Sequence, residues 1–346
     1  MRRFAMLALM LTLLAVPVHA SGLTAPEAPV SAEPFMPSQP QNLQEGIRHI
    51  LSQAVVTLRP DLKQAYGICS GIILVVITVS LTGAFPGMTG RTGVLLGAVS
   101  ISVWTLSSAG ALISLAADVI NEIVQYGRLL LPVMVGALAS QGGVSSSAAL
   151  YAGTAAFSAL LSGLITGILI PLVYCYLALS VLHCVSAMDV LKQMRESVKN
   201  LATWTLKTIM YIYTGYMGIT GVVSGSTDAA ALKAAKLTIS SVVPVVGGIL
   251  SDASEAVLVS AGTVKNAAGI YGMIAILAIW MGPFLKIGAH YLLLRLTGLI
   301  SSVFGQKELT ELIQDLGTGM GILLGMTAAV CLLFLISVFC FMRGIG

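Results

Sequence analysis

Thr227–Gly269 reads TDAAALKAAKLTISSVVPVVGGILSDASEAVLVSAGTVKNAAG. It places Asp228, Lys233, Lys236, Asp252, Glu255 and Lys265 around a Val-Pro-Val-Val-Gly-Gly centre. A solvated loop has no need of so much Val and Ala, and a lipid-facing helix does not tolerate those charges. A segment between these extremes belongs inside a membrane protein or beside a cavity, where interrupted backbone finds partners.

The rest of the chain is more apolar still. Hydrophobic residues make up 57% of the 346 residues and charged residues 9%, against about 25% charged in a soluble domain. Mean hydropathy is +0.95. This composition predicts an all-α, polytopic integral membrane helical bundle. The net charge of +4 is too small and scattered for a nucleic-acid-binding surface, so the basic residues inform topology instead.

The N-terminus has the pattern of a signal peptide over 1–20: Arg2 and Arg3, an apolar core from Phe4 to Val16, and the small-x-small site Val18-His19-Ala20. Residues 21–47 are rich in Pro, Ser, Ala and Gln and read as an extended external linker without a core. From 48 to 63 the periodicity changes to helical, with Ile50, Leu51, Ala54, Val55 and Leu58 toward one face. That predicts an amphipathic helix at the membrane surface or packed on a partner. The polytopic domain then occupies 64–346.

Uncharged apolar runs lie at 65–84, 92–117, 148–182, 208–227, 267–285 and 316–342, with another candidate at 287–304. Each is long enough to cross ~30 Å of hydrocarbon, which predicts six to eight spans. Pro171 is expected to kink or split the long 148–182 run. Residues 183–207 hold Lys192, Arg195, Lys199 and Lys207 against Asp189 and Glu196, which assigns this loop to the cytoplasm. Counting crossings from an external N-terminus leaves 119–145 and 228–266 as non-crossing segments, and the side of the C-terminus undecided.

Both of those segments carry Pro and Gly in apolar surroundings. The first contains Pro132, Gly136, Gly142 and Gly143; the second contains Pro244, Gly247 and Gly248. Pro132 and Pro244 are 112 residues apart. The same offset carries the helix at 92–117 onto that at 208–227, which suggests a parallel internal repeat with units 92–182 and 204–285. Interrupted segments at matching places in two halves are a sequence pointer to a transport path.

Motifs of catalysis are not evident. His49, His183 and His290 are far apart, without metal-ligand spacing. His183 beside Cys184 reads better as an interfacial histidine than as a metal ligand. Cys69, Cys175, Cys184, Cys331 and Cys340 read as small apolar side chains. No Gly-x-Ser-x-Gly elbow or phosphate loop is present. No cofactor, metal or catalytic residue is therefore expected. Pairs such as Gly93 with Gly97, Gly163 with Gly167 and Gly321 with Gly325 favour close helix packing within the chain, or between copies in a homo-oligomer. Asp118, Glu122, Lys286, His290 and Arg295 read as interfacial, snorkelling residues.

The opening segment resembles the signature region of the stage III sporulation protein AE family. The matching residues are Thr227-Asp228, Ala235-Lys236, Val243-Pro244-Val245-Val246-Gly247, Ser251-Asp252-Ala253, Val264-Lys265-Asn266 and Gly269. Ala137-Leu138-Ala139-Ser140-Gln141-Gly142-Gly143-Val144-Ser145-Ser146 is similar to that family's Leu-Leu-Ala-x-x-Gly-Gly-x-x-Ser stretch. The chain departs from the family in its short, Pro-rich region after the signal. The resemblance implies a non-enzymatic role in endospore formation. It implies a polytopic component of the mother-cell membrane assembly that joins a forespore membrane protein to form a channel. That channel supports late forespore gene expression.

The expected working surface, toward a pathway or partners, is Pro132, Gly136, Gly142 and Gly143, together with Asp228, Lys236, Pro244, Gly247, Gly248, Asp252, Glu255 and Lys265. The alternative reading is an autonomous secondary transporter for a small solute.

Overall fold

The computed structural model describes residues 25–37, 42–82, 90–186, 188–242 and 247–343, with side chains excluded at 90 and 221–264. The expected signal peptide and the Val243–Val246 centre of the opening segment lie outside these residues. A 3-10 turn, Val30–Phe35, precedes seven helices: α1 Leu43–Thr82, α2 Gly90–Ser140, α3 Val144–Leu164, α4 Ile170–Ser186, α5 Asp189–Val242, α6 Gly247–Ser302 and α7 Lys307–Arg343. Strands are absent among the described residues. α3 and α4 are joined by a π turn, Ile165–Leu169, into one continuous rod.

Among the described residues, five units are long and apolar enough to cross a membrane: α1, α2, the α3–α4 rod, α6 and α7. The candidates at 267–285 and 287–304 are one helix, α6, which runs through Pro283. The long helices alternate in direction, as pairs of contacts show. Arg195 meets Asp315 and Tyr213 meets Leu333, so α5 and α7 run parallel. Trp280 bonds Thr327 and Arg295 bonds Thr318, so α6 runs opposite to α7. One face of the bundle therefore collects the C-terminal ends of α1, α4 and α6 and the N-terminal ends of α2, α5 and α7. This is the face carrying the 183–207 basic cluster. Arg343, at the far end of α7, lies on the opposite face.

α7 is the centre of the bundle. Leu309, Ile313, Leu323, Phe334, Val338 and Phe341 are 1% exposed or less. Large apolar side chains elsewhere point outward, including Leu74, Val103, Tyr211 and Leu299, each more than 60% exposed. Such a belt suits lipid as solvent. Lipid offers little hydrophobic drive between helices, so close packing and interhelical hydrogen bonds hold them together. Gly127 lies beneath the Phe334 ring and Gly153 beneath Tyr216. The Tyr213 hydroxyl donates to the Leu333 carbonyl at 2.8 Å, and the Tyr216 hydroxyl to the Ala149 carbonyl at 3.1 Å.

Four expectations are corrected. The first concerns Pro132, which sits inside α2 and does not break it. A proline in mid-helix costs about 3 kcal/mol. Here Leu130, Leu131, Met134 and Leu138 are buried on both sides and keep the helix continuous through it. The break comes later, at Gly142, with φ 93°. Gly143 N–H donates to the Leu138 carbonyl and Gly142 N–H to the Ala139 carbonyl, which is a Schellman stop.

The second correction is at Pro171, which does not split the rod: the helical run continues through it from Val144 to Ser186. The π turn just before it lets Ile170 N–H bond the Ile165 carbonyl, one residue further back than in an α-helix. The wider turn makes room near the Gly167 carbonyl, which the proline ring would crowd.

The third lies in the Pro-rich stretch expected to be a linker. Over 25–37 it is docked on the bundle. Ala32 and Phe35 are buried, and Ser31 donates to Glu122 of α2. Ala28 N–H donates to the Tyr271 hydroxyl. The amphipathic stretch 48–63 is likewise no separate helix but the first half of α1. It buries Ile50 and Ala54 and leaves Leu51 and Val55 exposed.

Candidate functional site: a buried charge cluster at the basic face

Where α4 ends and α5 begins, the chain turns at the basic face, and the first turns of α7 pack against both. α7 presents Glu308, Glu311 and Asp315 at helical spacing, which puts them on one side. α5 contributes Arg195 and α4 contributes Tyr176, His183 and Cys184.

The centre of the site is Arg195 with Asp315. The guanidinium Nη1 bonds Asp315 Oδ2 directly. The two side chains are only 5% and 12% exposed. The Tyr176 hydroxyl donates to the other carboxylate oxygen at 3.0 Å, so both Asp315 oxygens are engaged. Glu196 Oε1 lies 3.7 Å from Arg195 Nη2, and the other oxygen of that carboxylate is held by Lys199.

Outward from this pair, the His183 imidazole stands 3.5 Å from Glu311 and contacts the Met188 carbonyl at 3.2 Å. The Cys184 thiol donates to the Glu308 carbonyl at 3.4 Å. These contacts account for His183 and Cys184 as polar closures of the α4 terminus. A cavity of about 200 Å³ opens among Asp189, Lys192, Lys307, Glu308 and Glu311. Chemically, the arrangement is a buried, neutralised ion pair under a charged vestibule. It is suited to holding three helices in register and to offering a polar contact surface at the end of an apolar bundle.

The expected site residues fall elsewhere. Pro132 is exposed on the outside of α2 and Gly136 is half-buried in the same helix. Gly142 and Gly143 shape the α2–α3 stop at the opposite face. Asp228 and Lys236 belong to α5, and Gly247, Gly248, Asp252 and Glu255 to α6. Their side chains lie outside the described residues, as does Pro244. Lys265 is buried on α6.

Sequence reasoning used Arg195 only as a topological charge and passed over Asp315, Tyr176 and Glu311. A signal was present. Asp315 is an acid placed directly before the 316–342 apolar run, and an ionisable residue at the edge of a span invites the search for a partner.

Apolar helices around a buried central one, closed by a charge cluster at one end, define a polytopic helical membrane protein. The chain belongs to the Stage III sporulation protein AE family, whose model matches residues 36–344. Stage III sporulation protein AE of Bacillus subtilis (strain 168) is 25% identical over 236 residues, 68% of this chain and 59% of that relative. The match thus spans about three fifths of the relative's length. No solved structure matches the chain. The family gives the protein a role in sporulation.

Proposed function

We propose that the protein is the membrane-embedded component of a channel or export complex linking mother cell and forespore, required for late forespore development. It resides in the mother-cell membrane around the forespore. It acts with the other proteins of that complex, including a forespore membrane partner, and contacts no nucleic acid. The observation that carries this reading is the Arg195–Asp315–Tyr176 cluster beneath a charged vestibule. A buried ion pair in an otherwise apolar bundle is expensive, and such groups mark pathways or contact surfaces in membrane proteins. The family match supplies the sporulation setting.

The test is genetic and biochemical together. Asp252→Ala and Lys192→Glu strains are expected to lose heat-resistant spores at normal protein level, and to lose co-purification of partner membrane proteins. Wild-type spore counts in both strains would refute the reading. Solute transport by the purified chain alone in liposomes would favour an autonomous transporter instead.

A further inference from the structure

A second cavity lies away from the charge cluster, in a groove of about 490 Å³ between α5, α6 and α7. That volume is in the range of small-ligand pockets. Lys199 and Arg295 line one end, with Lys207 deeper along the same wall, and no carboxylate is among the lining residues. The Arg295 guanidinium donates to Thr318 at 3.2 Å and lies over the Tyr291 ring. Lys199 is tied to Glu196, whereas Lys207 is exposed and makes no ion pair among the described residues.

The body of the groove is apolar and floored by small residues. Gly321, Gly325, Ala328 and Ala329 of α7 lie between Met210 and Leu332. A Cβ added at Gly325 would meet nothing within 4 Å, so the floor is open there. From Thr318 to Leu332 the helix rises about 21 Å, somewhat more than one leaflet of a ~30 Å hydrocarbon layer. The cationic end is at the basic face, where headgroups would lie. Lys207 is two turns further along but has a long stem that reaches back.

We propose that this groove holds an anionic glycerophospholipid drawn from the surrounding bilayer. Its phosphate lies among Lys199, Lys207 and Arg295, and one acyl chain runs along the Gly321–Leu332 floor. Charge complementarity selects this occupant: Lys207 and Arg295 have no carboxylate partner among the described residues and call for an anion, and the long apolar floor calls for a chain attached to it. Basic pockets between helices at the cytoplasmic side are established lipid headgroup sites.

The test uses the full chain, purified in detergent, delipidated and offered phosphatidylglycerol or phosphatidylcholine of matched chains, read by native mass spectrometry. Wild type is expected to retain one phosphatidylglycerol per chain with about tenfold preference over phosphatidylcholine. K207Q/R295Q should bind the two lipids alike. Gly325→Leu should weaken retention of both, since it projects into the acyl track where the space around its Cβ is open. Equal binding of the two lipids by wild type overturns the proposal, as does undiminished lipid retention in Gly325→Leu. A dimer that forms as lipid is removed, and that Gly325→Leu abolishes, would assign the groove to a second copy and overturn it as well.

Discussion

Asp315→Leu removes the counter-charge of Arg195 and leaves its side chain, 5% exposed, buried among helices. The remaining acid, Glu196, stands 3.7 Å away and is 40% exposed, so it replaces little of the lost attraction. Breaking one side of a buried pair costs about 3–5 kcal/mol, and the Tyr176 hydroxyl loses its acceptor in addition. Removing both partners has a different outcome. Arg195→Met/Asp315→Leu leaves no buried charge at this site, and apolar replacements of such pairs are often neutral or stabilising. The double variant should therefore return to within about 1 kcal/mol of the parent, apart from the unpaired tyrosine.

The assay is denaturant unfolding of the purified chain in mixed micelles, followed by tryptophan fluorescence and closed as a double-mutant cycle. A single variant within about 1 kcal/mol of wild type would refute the burial argument, as would a double variant whose loss equals the sum of the singles. Spore counts in the double variant then separate two roles. Full sporulation assigns the pair to helix register alone, while a stable protein that does not support sporulation assigns it to the working surface.

Three further outcomes follow from local geometry. Gly127→Ala should cost about 1–3 kcal/mol by driving a methyl into the buried Phe334 ring, whereas Gly163→Ala, with open space around its Cβ, should gain a few tenths to about 1 kcal/mol; thermal unfolding of both in one detergent checks the contrast. Gly142→Ala should lose about 1–2 kcal/mol through its positive φ, with Gly142→Asn recovering part of it, measured by the same unfolding. Phe35→Ala should release the 25–37 segment, at a cost of up to about 3 kcal/mol, seen as faster limited proteolysis N-terminal to α1 while the membrane core persists.

The apolar runs and the basic 183–207 loop identify the class of this protein, because crossing a bilayer demands a local, readable property: some twenty residues without charge. The Thr227–Gly269 pattern marked the family for a similar reason, being a contiguous string. Gly142 was legible as a break because only a residue without Cβ takes its φ comfortably. Pro132 misled, since its penalty is smaller than the burial of the four apolar neighbours that hold α2 together, and that burial depends on helices distant in sequence.

The docking of 25–37 was hidden for a related reason. Its partners Glu122 and Tyr271 lie 91 and 243 residues away, and its composition alone resembles a linker. The Arg195–Asp315 pair spans 120 residues, and Tyr176 joins it from a third helix. Composition and periodicity therefore determine that the chain is a helical membrane protein and roughly where its helices run. Which helix sits at the centre, and which charges neutralise each other there, is decided only by packing, because the partners of a buried charge are chosen in space rather than along the chain.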